Sequence, residues 1–267
     1  MASRSTVIWV GLLGLGCSAD PKGAGPAAEV QDSAAPDEAP GDENEDSGTV
    51  EDTGPAPPVA FALPLAEPER FTLVVGVDHD PAVSAGDDPL GRTVCTDYLE
   101  RGFPHCYDEH DGSDYILQGG FGAMDDGSTQ ILAGADGTVT LARDGHYDRC
   151  RADASGVVDC DGHEMISNSV ILEHVGSDGR RYRTKYWHMM KETVAVEEGQ
   201  EVHQGDVLGK VGSSGNSSMP HLHFELEVEV EGAPDTWEVV DPYAGPASQE
   251  LSYWCAQGPA EGLPGGC

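Results

Sequence analysis

Eleven consecutive residues, His221-Leu222-His223-Phe224-Glu225-Leu226-Glu227-Val228-Glu229-Val230-Glu231, alternate polar and apolar without a break. A period of two marks a β-strand, because successive side chains leave opposite faces of an extended chain, whereas a helix would scatter these apolar residues around its axis. Leu222, Phe224, Leu226, Val228 and Val230 therefore define a core-facing side, and His221, His223 and the glutamates share the other. At about 3.3 Å rise per residue the two imidazoles stand roughly 6–7 Å apart. That spacing suits one metal ligand beside one neighbour aimed at the metal's open position. An isolated H-x-H is equally compatible with a half-buried strand whose exposed face carries two histidines, so the rest of the chain has to discriminate.

Most of region 61–246 has the same texture. Short runs at 71–77, 128–133, 137–142, 169–174, 181–188, 207–211 and 221–230 read as strands punctuated by Gly and Asp, with hairpin-turn residues at 175–179. No stretch shows sustained helical periodicity. The pattern predicts one mostly β domain, an antiparallel barrel-like sandwich. Residues 145–167 interrupt it with a polar excursion, read as an inserted surface loop. Residues 247–267 read as a tail pinned by a disulfide of its own instead of by a core.

The N-terminal quarter has a different character. In residues 1–17, Arg4 precedes an apolar run at 7–15 that is too short to span a bilayer as a helix, which is the pattern of an export signal. Two cleavage readings overlap. Leu13-Gly14-Leu15-Gly16-Cys17 resembles a bacterial lipobox with Cys17 as the lipidated first mature residue, and ordinary cleavage after Ala19 competes with it. Residues 18–60 are Ala, Pro, Gly, Asp and Glu, with eleven acids against the single base Lys22. Such a segment cannot bury enough apolar surface to offset chain entropy and reads as a disordered, self-repelling linker. The whole chain carries a formal net charge of -34. That field repels nucleic acid and anionic lipid, so no nucleic-acid partner is expected and membrane contact only through the lipid anchor.

Seven cysteines become six once Cys17 is set aside. In an exported chain disulfides are the default, and nearest-neighbour pairing predicts Cys95-Cys106, Cys150-Cys160 and Cys255-Cys267.

Upstream of the alternating strand stands His110-Asp111-Gly112-Ser113-Asp114. Its central Gly favours a turn that swings a His and a carboxylate toward one point, and both are good zinc ligands. His188 closes the run at 181–188 and can face the same cleft. Together these segments resemble the lysostaphin/LytM-type zinc endopeptidases that cut peptidoglycan cross-bridges. The likeness spans about 108–243 and is carried by His110-x-Gly112-x-Asp114, Tyr186-x-His188, Gly199-Gln200-x-Val202-x-x-Gly205-Asp206, Gly212-Ser213-Ser214-Gly215 and Pro220-His221-Leu222-His223-Phe224-Glu225.

The resemblance implies one Zn2+ held by His110, Asp114 and His223, with a fourth position left for water or substrate, and catalytic roles for His188 and His221. It implies a peptide-bond hydrolase acting on peptidoglycan stems or cross-bridges in the periplasm or at the cell surface. Which of His188 and His221 is the base stays open, and Glu225 is either an orienting partner of an imidazole or a plain strand glutamate. Two other classes fit parts of the sequence. A non-catalytic relative would serve as activator or binding module for another wall hydrolase. Met189-Met190-Lys191-Glu192 before the 199–209 segment is similar to a biotinyl or lipoyl carrier, with Lys191 as the modified residue.

Overall fold

The structure, a computed structural model, describes residues 56–79, 92–94, 105–107, 109–127, 129–153, 156–245, 248–257 and 263–267. The export signal, Cys17, most of the acidic linker and Cys95 lie outside the described residues. In chain order the elements are β1 (Phe71–Val75), β2 (Arg92–Val94), β3 (His105–Tyr107), β4 (Ser113–Leu117), α1 (Gly120–Asp125), β5 (Gln130–Leu132), β6 (Gly137–Arg143), β7 (Arg151–Ala152), β8 (Val158–Asp159), β9 (Ser169–Val175), β10 (Arg181–Trp187), β11 (Glu201–Val202), β12 (Val207–Lys210), β13 (His221–Glu229) and β14 (Trp237–Val240).

Among the described residues, nine strands follow the order β11-β6-β9-β10-β13-β4-β1-β3-β2 in one sheet, and β14 adds along the second half of β13. Pairing is antiparallel except for one parallel bridge between β1 and β3. β5 and β12 form a separate pair, yet Ile131 and Leu208 from that pair share one buried core with Leu73, Tyr115, Leu172, Tyr186, Phe224 and Leu226 from the large sheet. Two sheets closed over a common core give the barrel-like sandwich that the strand pattern predicts.

The alternating strand is central. Over its first half β13 lies between β10 and β4, and over its second half between β10 and β14. Its apolar residues enter the core as expected. Its polar face differs from expectation, because Glu225 and Glu227 are each only 8% exposed. Lys185 on β10 explains how they tolerate burial: its Nζ donates to Glu225 at 2.7 Å and to Glu227 at 2.8 Å. Buried carboxylates need such a cation, since an unpaired charge out of water costs several kcal/mol on the order-of-magnitude scale.

Three local expectations are corrected. Asp114 sits inside β4 and not on a turn, so only His110 is carried by the loop. The short α1 and β14 escaped the sequence reading, since six and four residues are too few to establish a period. The C-terminal tail is held by the core as well as by its bridge. Trp254 is buried, 5.3 Å from the Phe224 ring and 5.5 Å from Tyr243, and Phe61 exchanges backbone hydrogen bonds with Tyr253 and Cys255. The Cys150–Cys160 and Cys255–Cys267 disulfides are present. Cys106 is also disulfide-bonded, and its predicted partner Cys95 lies outside the described residues.

Trp254→Ala is expected to cost about 3–5 kcal/mol of unfolding free energy, the range for truncating a large buried aromatic. Urea denaturation of the oxidised protein checks this. A loss below about 1 kcal/mol would mean that the tail is held by its bridge alone.

Candidate metal centre and flanking histidines

The register of β13 against β4 places His223 directly opposite Asp114. The loop after β3 then brings His110 over the same point. Gly112 is required for that approach, because a Cβ there would lie 2.6 Å from Phe224 O and 2.8 Å from His223 Nε2. Three atoms converge: His110 Nε2 is 3.2 Å from both Asp114 Oδ1 and His223 Nδ1, and His223 Nδ1 is 2.7 Å from Asp114 Oδ1. Among the described residues this is the one group of three or more His, Cys, Asp or Glu side chains that could hold a metal ion.

The donor set fits zinc. Bonds of about 2.0–2.1 Å in tetrahedral geometry place neighbouring ligand atoms about 3.3 Å apart, near the spacings seen, and two imidazoles with a carboxylate leave one position open. The distal nitrogens are also committed. His110 Nδ1–H donates to Gly76 O at 2.6 Å, and His223 Nε2–H donates to Glu225 at 3.1 Å. A carbonyl or carboxylate can only accept, so each partner fixes the tautomer that leaves the other nitrogen free to ligate.

Two further imidazoles flank this triangle. His188 follows β10 in a left-handed conformation, φ 63°, which turns the chain out of the strand. Its N–H donates to Ser167 Oγ at 2.8 Å and its ring Nδ1–H to Ser214 O at 2.7 Å. His221 Nδ1–H donates to Met219 O at 2.7 Å, and its Nε2 lies 3.6 Å from Asp114 Oδ1. The His188 and His221 rings are 4.6 Å apart, and His188 is 5.9 Å from His223. With Nδ1–H bonded to a carbonyl, the neutral form of each ring carries its lone pair on Nε2, and that of His221 lies beside Asp114.

The electrostatics separate the groups by role. Burial opposes ionisation of Asp114, but the imidazoles of His110 and His221 and hydrogen bonds from His110 and His223 outweigh it and hold the carboxyl well below its ordinary range. Burial likewise opposes charge on His223, yet Asp114 and Glu225 on its two sides push it up to about 10. Burial lowers His188 strongly, reinforced by His221 and His223, and burial lowers His221 as well. Burial alone would raise Glu225, but His223 and Lys185 bring it down to about 2.

All five residues singled out by the motifs thus converge. Glu225 is buried and bonded to His223 rather than exposed on the strand. Lys185 was missed, although the alternation Arg181-x-Arg183-x-Lys185 opposite a glutamate face could have revealed it. The carbonyls of Gly76, Ser214 and Met219 left no signal, because any residue supplies one. Other histidines are used elsewhere. His174 is buried between Asp136 O and Thr184 Oγ1, and His79 is partly buried with Nε2 2.7 Å from Asp241. Lys191 lies in an exposed turn beside Glu192.

Residues 110–236 match peptidase family M23. Over 119 residues the chain is 29% identical to the peptidoglycan DD-endopeptidase ShyA of Vibrio cholerae serotype O1, covering 45% of this chain and 20% of ShyA. Over 66 residues it is 35% identical to the peptidoglycan DD-endopeptidase ShyB of the same organism, covering 25% of this chain and 14% of ShyB. The chain thus spans a fifth or less of the length of these curated relatives. The catalytic domain of the antimicrobial peptidase lysostaphin from Staphylococcus simulans is 25% identical, with 51% of this chain and 77% of that one covered at a TM-score of 0.32. The matched segment opens on His110 and runs past His223, and residues 110–236 form a peptidase family M23 domain of the lysostaphin/LytM type.

Proposed function

We propose that this protein is an exported zinc metalloendopeptidase that hydrolyses peptide bonds in peptidoglycan cross-links, in the periplasm or at the cell surface, tethered through a lipid on Cys17. The observation that carries the reading is the convergence of three ligand atoms with two additional imidazoles whose neutral forms carry the lone pair on Nε2. A structural zinc site closes its coordination sphere with four protein ligands, and an activator or binding module has no use for the two extra histidines.

His110, Asp114 and His223 would hold the zinc. When bound, the ion supplies Lewis acidity, making water a stronger acid and polarising the scissile carbonyl. The chain's own residues do the rest. One of His188 and His221 accepts the proton of the attacking water at Nε2 and returns it from the same nitrogen to the leaving amine, and the other donates to the developing oxyanion only after taking up a proton of its own at Nε2. Both are neutral at pH 7 because burial depresses them, so each is available as a base. Glu225, held by Lys185, keeps the His223 ring in the orientation that ligates through Nδ1.

Purified protein is expected to carry about one zinc per chain and to solubilise purified cell walls. His223→Ala and Asp114→Ala should lose both zinc and hydrolysis. His188→Ala and His221→Ala should keep the zinc and lose about 10²–10⁴-fold in kcat, the usual contribution of a general acid or base. A zinc-free wild-type protein, or zinc-loaded protein inert on walls of every cross-link chemistry, would favour the activator reading.

The pH dependence has a definite sign. Without metal, His223 holds a proton up to about pH 10, and that proton must leave before Nδ1 can ligate. Zinc affinity should therefore rise with pH through the neutral range, with release of about one proton per ion near pH 7. Calorimetric titration in buffers of different ionisation enthalpy measures it, and zero release would contradict the His223 assignment. Because His188 and His221 are depressed, the acid limb of kcat should fall below about pH 6.5, the ordinary value for imidazole.

A further inference from the structure

We propose that the disulfide-closed insertion between β6 and β9 is a positioning device for the two flanking histidines, holding in place the loop whose carbonyls orient their rings. The proposal rests on the catalytic reading of His188 and His221.

The insertion reads in sequence as a surface loop, yet it runs alongside residues 213–218 as an added edge. Ser213 N–H donates to Asp148 O at 3.0 Å, Cys150 N–H to Ser213 O at 2.9 Å and Ala152 N–H to Ser218 O at 3.0 Å. Ser213 Oγ–H donates to Cys150 O at 2.7 Å. This clamped loop is the one that offers Ser214 O to His188 and Met219 O to His221. The insertion's far end closes on the same point, where Ser167 Oγ accepts the His188 N–H and Asn168 N–H donates to Ser214 Oγ. Both imidazoles thus take their orientation from backbone that the insertion braces from two sides.

The insertion's other anchors are polar and mostly exposed, with Asp148 accepting from Lys191 N–H at 2.8 Å and Arg149 pairing with Asp125 at 2.6 Å. β7 and β8 are two residues each, and Val157 and Met165 are exposed. Its buried centre is the Cys150–Cys160 bridge, with Cys150 fully buried and Cys160 3% exposed, and Cys160 Sγ packs 3.5 Å from Gly215 O. Gly215 admits this packing only without a side chain, since a Cβ would lie 2.9 Å from Ser167 N. Cutting the bridge restores chain entropy to the segment that must stay ordered against the 213–218 loop. Loosened carbonyls then let the imidazoles rotate, and misplacement of a reacting group by about 1 Å costs on the order of a hundredfold in rate.

The test compares the Cys150→Ala/Cys160→Ala double variant with Cys255→Ala/Cys267→Ala, with Ser213→Ala and with His188→Ala, all in the full chain and well below their melting temperatures. The expected result is a fall of about ten- to a hundredfold in kcat for the Cys150/Cys160 variant, with KM and bound zinc unchanged, and a smaller fall for Ser213→Ala. The Cys255/Cys267 variant should lose stability but keep kcat. Imidazole 15N spectra should show His188 and His221 as Nδ1–H tautomers in the wild type and as exchanging mixtures in the Cys150/Cys160 variant. Wild-type kcat and unchanged imidazole signals in both the Cys150/Cys160 and Ser213 variants would overturn the proposal. If the wild type cleaves nothing, the peptidase reading fails and the imidazole spectra decide the positioning role alone. If the double variant does not fold, Ser213→Ala decides it by the same two readouts.

Discussion

One register holds the site together: His223 on β13 sits directly opposite Asp114 on β4. A strand's side chains alternate with period two, so a slip of one residue would send His223 into the core and Phe224 out to the metal position. The core prevents the slip. Leu222, Phe224 and Leu226 are fully buried, and β10 fixes β13 from the other side through six successive Cα pairs from Tyr182 to Trp187. The hydrophobic face of the strand thus sets the geometry of the polar face. His110 needs only a loop that clears the strand without a side chain, which Gly112 supplies.

The buried polar face would be untenable without its cations, in a chain that has only 14 Lys and Arg against 48 Asp and Glu. Three of the bases stand at alternate positions of β10. Lys185 bridges Glu225 and Glu227, Arg183 pairs with Glu173 and stacks 3.8 Å over the Trp237 ring, and Arg181 meets Glu173 and Glu229. The exposed pairs add little stability, but Lys185 and its partners are largely out of water, where removing one member leaves uncompensated charge. The position closest to the metal centre is also the most buried. A network meant only for solubility would have the reverse gradient.

Much of this was legible because it is periodic or local. The run from His221 specifies strand, face and the neighbouring histidines by alternation alone, and the cysteine couples 150–160 and 255–267 are nearest neighbours along the chain, as the pairing prediction has them. What escaped is long-range or backbone-borne. Nothing in the sequence around Trp254 says that it completes the core beside Phe224, because that contact depends on where the tail crosses the sheet. Alternation leaves both readings of Glu225 open because it reports two faces but not what covers each. Asp114 was assigned to a turn because Gly112 dominates the local signal, although Tyr115-Ile116-Leu117 immediately after it are the strand formers.

The four imidazoles of the site share one device: each has one nitrogen bonded to an acceptor that cannot donate, which turns the other nitrogen toward the site. For three of them, His110, His188 and His221, the acceptor is a backbone carbonyl. Side-chain substitution cannot delete a carbonyl, so tautomer control at these positions depends on loop shape rather than on residue identity. His223 is the exception, with Glu225 as acceptor, and it is also the imidazole with carboxylates on both sides. A carboxylate partner raises the basicity of a ligand nitrogen, whereas a neutral carbonyl leaves a flanking histidine easily deprotonated in a buried setting. The backbone is left-handed at two non-glycine positions beside this arrangement, Glu109, which precedes His110, and His188 itself. A non-glycine residue at φ 63° costs on the order of 1–3 kcal/mol, and it persists at His188 because Ser167 and Ser214 hold both its N–H and its ring. The left-handed turn at His188, immediately past the end of β10, is what brings its ring beside His221 and His223 at the candidate metal site.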